Sequence, residues 1–174
     1  FPPRRSSDRP LKKFGITRVV ATTLQALSGA GYPGVASMDI NGNVVPFIGG
    51  EEEKMQQETQ KILGDYRADA IHPLTAKVSA HCNRVPVVDG HTVTVSVEFK
   101  DKPDEAALLE ALSGFQGVPQ HKNLPSPPPN PIICMTEKDR PQPRRDACRE
   151  NGMAVFVGRV RPCRHFNPRS AYAR

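Results

Sequence analysis

The sequence predicts an α+β domain: a mixed β-sheet with helices packed against one face. Three observations carry that prediction. Apolar and β-branched residues recur with a period of two over 77–85 and 91–99. Helical patterns are few, so strands and helices do not alternate as in a regular βαβ array. Turn residues, Asp89-Gly90 above all, separate neighbouring extended runs.

The elements follow in order. Residues 1–10 combine prolines with arginine, serine and aspartate and are expected to form a disordered basic tail. Residues 16–22 are apolar and β-branched, a first strand. Residues 24–27 begin a short helix that Ser28-Gly29-Ala30-Gly31 ends. This glycine-rich stretch lacks GxGxxG and Walker spacing, so it is not read as a phosphate cradle. Pro33-Gly34 marks a turn, and 44–48 is short and extended. Gly49-Gly50 then precedes a helix over 51–63, where Glu51, Glu52 and Glu53 suit the positive end of the helix dipole. Met55, Ile62 and Leu63 share one of its faces, and Gly64 is placed as its cap. The strands 77–85 and 91–99 read as a hairpin. A second helix, 105–112, starts behind Pro103-Asp104. Six prolines between 119 and 131 make that stretch a stiff, extended loop. A strand at 132–135, a helical turn at 144–150 and a final strand at 154–160 complete the domain, which is drawn at 11–163. Residues 164–174 are a second basic tail.

A chain of 174 residues suffices for one domain with a real core. No apolar run approaches the roughly 20 residues of a membrane span, and no apolar segment of a secretory signal follows the first arginines. The net charge of +6 is concentrated at the ends. Residues 1–13 carry +4 and residues 164–174 carry +3, which leaves −1 for the rest. A nearly neutral body without a basic, aromatic-studded stripe argues against a nucleic-acid partner. Cys82, Cys134, Cys148 and Cys163 have no CxxC spacing, so neither a metal site nor a disulfide framework is expected. A reduced, cytoplasmic protein is the simpler reading.

The chemistry concentrates in HCNRVPVVDGHT, residues 81–92. Alternation puts Val78, Ala80, Cys82 and Arg84 on one face of the first strand, and His91, Val93, Val95, Val97 and Phe99 on one face of the second. Arg84 and His91 therefore lie on apolar faces at the same end of the expected hairpin. A buried guanidinium is costly unless an anion meets it, and its planar fork matches a carboxylate. Histidine exchanges protons near neutral pH. The residues alone also admit a structural arginine with an internal acidic partner and a capped core histidine.

Four long segments in order resemble aspartate-semialdehyde dehydrogenase of the archaeal and fungal type. They are TTLQALSGAGYPGV (22–35), NVVPFIGGEEEKM (43–55), HCNRVPVVDGHT and FVGRVRPC (156–163). The resemblance implies the C-terminal catalytic and dimerisation domain of the glyceraldehyde-3-phosphate dehydrogenase-like fold. It implies a reversible, NADP-dependent reaction that interconverts aspartyl phosphate and aspartate semialdehyde with release of phosphate, through a cysteine thioester. It makes His91 the acid/base and Gln25 the residue that orients substrate. Arg84 would bind the α-carboxylate, Glu51 the ammonium, and Lys54 a carboxylate or phosphate. A homo-oligomer assembled through the sheet is implied as well.

The family's nucleophile lies in an Asn-Cys-Ser/Thr stretch shortly before the segment matched by 11–15, where this chain reads FPPRRSSDRP. After Cys163 the family continues into Ser-His-Asn-Thr, whereas this chain reads RHFNPRSAYAR. Cys82 is not read as the nucleophile, because a buried cysteine on a strand is usually inert packing. The expectation is a fragment, inactive in isolation, that supplies substrate-side residues but neither nucleophile nor NADP-binding domain. A non-catalytic dimerisation or interaction module derived from that enzyme is the alternative.

Overall fold

A computed structural model describes residues 9–163 and the backbone of 170–173. The strands are β1 (Ile16–Gln25), β2 (Asp65–Arg67), β3 (Ala70–His72), β4 (Lys77–Arg84), β5 (Thr92–Phe99), β6 (Ile132–Met135), β7 (Val155–Gly158), β8 (Arg161–Cys163) and β9 (Ser170–Ala173). The helices are α1 (Ser37–Ile40), α2 (Glu51–Ile62), α3 (Glu105–Ser113), α4 (Val118–His121) and α5 (Pro143–Asp146). A five-stranded mixed sheet in the order β4-β1-β5-β9-β8 forms the body. A β2-β3 hairpin and a parallel β6-β7 pair stand apart from it.

β1 organises the sheet. It pairs in parallel with β4 and antiparallel with β5. Val19, Ala21, Thr23 and Gln25 are buried on its inner face, while Leu24 on the other face is exposed. The inner face also takes Ala80 and Cys82 from β4 and Val97 and Phe99 from β5. Leu63, just past α2, and Leu108 and Leu112 of α3 close the same core, so the α+β reading with helices on one face holds. Full burial of a side chain such as Leu63 contributes about 1.5–3 kcal/mol. The Phe14 and Phe99 rings meet edge to face at 5.9 Å. Asp104 caps α3 by accepting the Ala107 N–H at 2.8 Å.

Several expectations change. β4 and β5 are not a hairpin: β1 lies between them, and the 85–91 connection passes the end of β1. Both alternate as expected, but alternation identifies a face and not a hydrogen-bonding neighbour. The first strand continues through Gln25, which is therefore not a helix-start residue; only Leu27–Ala30 turns, as a 3-10 helix. α2 is capped by Leu63 in helical conformation. Gly64 is needed for a different reason: a Cβ there would run into the His72 carbonyl. The proline-rich stretch opens on α4, because Pro119 is tolerated in a helix's first turn. β7 is not the final strand, since β8 and β9 follow. The basic tail drawn at 164–174 thus includes a strand; backbone groups can pair whatever the side-chain composition. Residues 1–8, 164–169 and 174 of the two expected tails lie outside the described residues.

Candidate functional site

The site grows from the C-terminal ends of β1 and β4. Gln25 and Arg84 stand opposite each other in the parallel register, and the Val85 N–H donates to the Gln25 carbonyl at 3.0 Å. β5 runs antiparallel to β1, with Leu24 opposite Thr92, so His91 sits at the same end. The sheet itself thus brings Gln25, Arg84 and His91 together.

Arg84 is 7% exposed. Its Nη1 donates to the Ala26 carbonyl at 2.8 Å, and its backbone forms an isolated antiparallel bridge with Val45. Among the described residues no carboxylate pairs with it. The internal acidic partner that a structural arginine would require is therefore not found among them. A buried guanidinium with one neutral acceptor has donors left for an anion.

His91 is half-buried, and its Nδ1 accepts the Ala26 N–H at 3.2 Å. The backbone of one residue, Ala26, thus contacts both side chains. The other side of the site is a polar relay. Gln25 Nε2 donates to Glu51 Oε2 and to Thr23 Oγ1, each at 3.4 Å, and Lys54 Nζ donates to Glu51 Oε1 at 3.4 Å. Glu51 and Lys54 are three residues apart in the first turns of α2, so both lie on one face of the helix.

Two contributors escaped the sequence reading. Glu52 Oε1 accepts the Cys82 N–H at 3.0 Å, which ties the start of α2 to the free edge of β4. Within the run Glu51-Glu52-Glu53 no signal separates it from its neighbours. Ala26 offers none either, because its role lies in its backbone.

Cys82 lies beside this site, fully buried. Burial pushes its thiol up, with hydrogen bonds from Thr23 and Gln25 opposing and the charges of Glu52 and Glu51 adding. A nucleophile needs the reverse. Cys82, Cys134, Cys148 and Cys163 are all free thiols. Among the described residues no cluster of three or more His, Cys, Asp or Glu could hold a metal ion. No described helix is long and apolar enough to cross a membrane. The nicotinamide cofactor implied by the resemblance does not fit the one long helix that follows a glycine pair. α2 presents Glu51, Glu52 and Glu53 at its N-terminus, and their charges repel a pyrophosphate.

Residues 9–170 match the family model described as semialdehyde dehydrogenase, dimerisation domain. Among curated relatives, the chain is 50% identical over 148 residues to an aspartate-semialdehyde dehydrogenase of Methanothermobacter thermautotrophicus, covering 85% of this chain and 43% of that protein. It is 49% identical to that of Cryptococcus neoformans, covering 90% and 45%. The chain therefore spans less than half the length of these relatives. Among solved structures, the aspartate semialdehyde dehydrogenase with NADP from Candida albicans superposes with a TM-score of 0.85 at 38% identity, covering 97% of this chain and 48% of that one. Aspartate semialdehyde dehydrogenase II complexed with ASA from Vibrio cholerae gives 0.72 at 26% identity, covering 97% and 52%.

Proposed function

This chain belongs to the semialdehyde dehydrogenase family through its dimerisation domain, and on that premise we propose that it is the substrate-binding and acid/base portion of an aspartate-semialdehyde dehydrogenase. The observation that carries the reading is Arg84, buried at the end of β4 without a carboxylate partner among the described residues and bonded to the same residue, Ala26, as His91.

The reaction of the whole enzyme would interconvert aspartyl phosphate and aspartate semialdehyde through a cysteine thioester, with NADP as the hydride partner. Nucleophile and cofactor domain are assigned to the part of the relatives' length that this chain does not span. Here the chain's own groups bind and orient. Arg84 forms the fork for the α-carboxylate. Glu51 receives the α-ammonium, and Lys54, held by Glu51, offers its charge to a carboxylate or to the incoming phosphate. Gln25, anchored by Thr23 and Glu51, directs its amide toward the substrate. His91 faces the reacting carbon's oxygen and exchanges its proton. The exposed face of the sheet is proposed to pair with a second copy.

The test is a titration of the 174-residue chain with L-2-aminobutyrate, followed by NMR. This probe carries the α-carboxylate and α-ammonium without a reactive aldehyde. Saturable shifts at Arg84 and Glu51, lost in Arg84→Met, are expected. No saturable shift, or one unchanged in the variant, refutes the reading. The non-catalytic interaction module would then stand, with dimerisation as its remaining property.

A further inference from the structure

We propose that the Ala26 backbone and Gly29 are positioning elements that fix the tautomer of His91 and its spacing from Arg84. This rests on the proposed roles of those two residues.

Ala26 is fully buried and extended, with φ −69° and ψ 159°, between the end of β1 and the 3-10 turn Leu27–Ala30. Its N–H points at His91 Nδ1 and its carbonyl accepts Arg84 Nη1. Both peptide groups flanking Ala26 are held, the first by the Val85 N–H on the Gln25 carbonyl at 3.0 Å. The Leu27 N–H donates to the Val87 carbonyl at 2.7 Å, and the Ser28 N–H donates to the Val88 carbonyl at 3.0 Å. Gly29 closes the turn by donating to the Ala26 carbonyl at 3.1 Å. The turn is thereby strapped to the 85–88 segment that connects Arg84 to His91.

A backbone N–H is always a donor, so the nitrogen that receives it must hold a lone pair. His91 Nδ1 is therefore unprotonated in the neutral ring, and the proton sits on Nε2. To take a proton at Nε2 while neutral, the ring must first place its hydrogen on Nδ1, against the Ala26 N–H. The resting ring thus presents a hydrogen-bond donor to the site.

Gly29 sets where that donor stands. A Cβ on Gly29 would lie 2.6 Å from His91 Nε2, 2.8 Å from His91 Cε1 and 3.0 Å from Arg84 Nη1. These distances leave no room for a methyl group. The requirement is one of space rather than of left-handed backbone. The outer nitrogen of His91 and one nitrogen of the guanidinium converge on the space a Gly29 Cβ would occupy, so a side chain there displaces one or both from their present spacing.

The measurement is 15N NMR of the full chain labelled at histidine, with His91 assigned by the signal that disappears in His91→Gln. A pyridine-type Nδ1 and a pyrrole-type Nε2 are expected for His91. A protonated Nδ1, or an averaged mixture of tautomers, overturns the proposal. Gly29→Ala is expected to shift both His91 nitrogens and to weaken L-2-aminobutyrate binding at least tenfold. Unchanged His91 signals in that variant overturn the part assigned to Gly29. The wild-type tautomer needs no variant to be read, so misfolding of Gly29→Ala leaves the test intact. Binding with the wrong tautomer refutes this inference alone; the expected tautomer without binding refutes the functional reading instead.

Discussion

Replacing Arg84 with methionine should separate a structural arginine from one held for a ligand. Arg84 is 7% exposed, and among the described residues its side chain makes one hydrogen bond, from Nη1 to the Ala26 carbonyl at 2.8 Å. Losing a hydrogen bond from a charged donor costs about 1.5–3 kcal/mol. The Ala26 carbonyl keeps the Gly29 N–H at 3.1 Å, so no acceptor is orphaned. Against that loss stands the removal of a buried charge without a countercharge, which relieves several kcal/mol. Methionine is of comparable length and fills irregular space. The net expectation lies between no change and a gain of about 3 kcal/mol, with L-2-aminobutyrate binding abolished. Urea unfolding of both chains by far-UV circular dichroism reads the difference. A loss of about 3 kcal/mol or more, the penalty for breaking a buried pair, would show that Arg84 satisfies an internal anion and would refute the argument.

Four further outcomes follow from other parts of the structure. Asp146 is 2% exposed and accepts from Arg140, Arg149 and the Gln142 N–H; Asp146→Asn removes that charge, leaves Arg140 with the more distant Glu137 carboxylate at 3.9 Å, and should cost about 3 kcal/mol in urea unfolding. The Arg140 guanidinium holds the Asp146 carboxyl well below the usual carboxylate range, so its contribution is full above an unfolded pKa of about 3.9 and is lost as pH falls through the lower folded value. The acid limb of stability should therefore flatten in Asp146→Asn, and an unchanged limb would contradict this. In alkylation by iodoacetamide read by mass spectrometry, exposed Cys148 should react before Cys82, whose thiol is buried and pushed up; equal or faster reaction at Cys82 would reopen it as a nucleophile. Glu52→Ala should speed hydrogen exchange at the Cys82 amide, whereas Glu52→Gln, which keeps an acceptor, should protect it; equal exchange in both would remove Glu52 as the clamp on β4.

The strands at β1, β4 and β5 and the helices α2 and α3 were legible because each has one buried face, and burial imposes a period that sequence displays. α2 matches residues 51–62 of the expected 51–63, and α3 begins at Glu105, directly behind Pro103-Asp104 as expected. The convergence of Arg84 and His91 was also anticipated, but through a hairpin that does not exist. Both routes put the two residues at one end, because β4 and β5 are antiparallel to each other whether they touch or flank β1. Gln25 shows the opposite case. Its type was noticed, but its place as the last buried residue of β1, opposite Arg84, depends on a pairing some 60 positions away.

What the sequence determined by itself is the set of faces and chemical types: which residues are buried, where helices begin, and that an arginine and a histidine occupy apolar positions. These depend on near neighbours, and near neighbours are written in order along the chain. Only the tertiary structure decided that β1 separates β4 from β5, that α2 carries Glu51 to Gln25, and that Ala26 and Gly29 sit between Arg84 and His91. Ala26 acts through an N–H and a carbonyl that almost every residue possesses, and Gly29 acts through the absence of a side chain. Neither property distinguishes a residue type until other parts of the fold close around it.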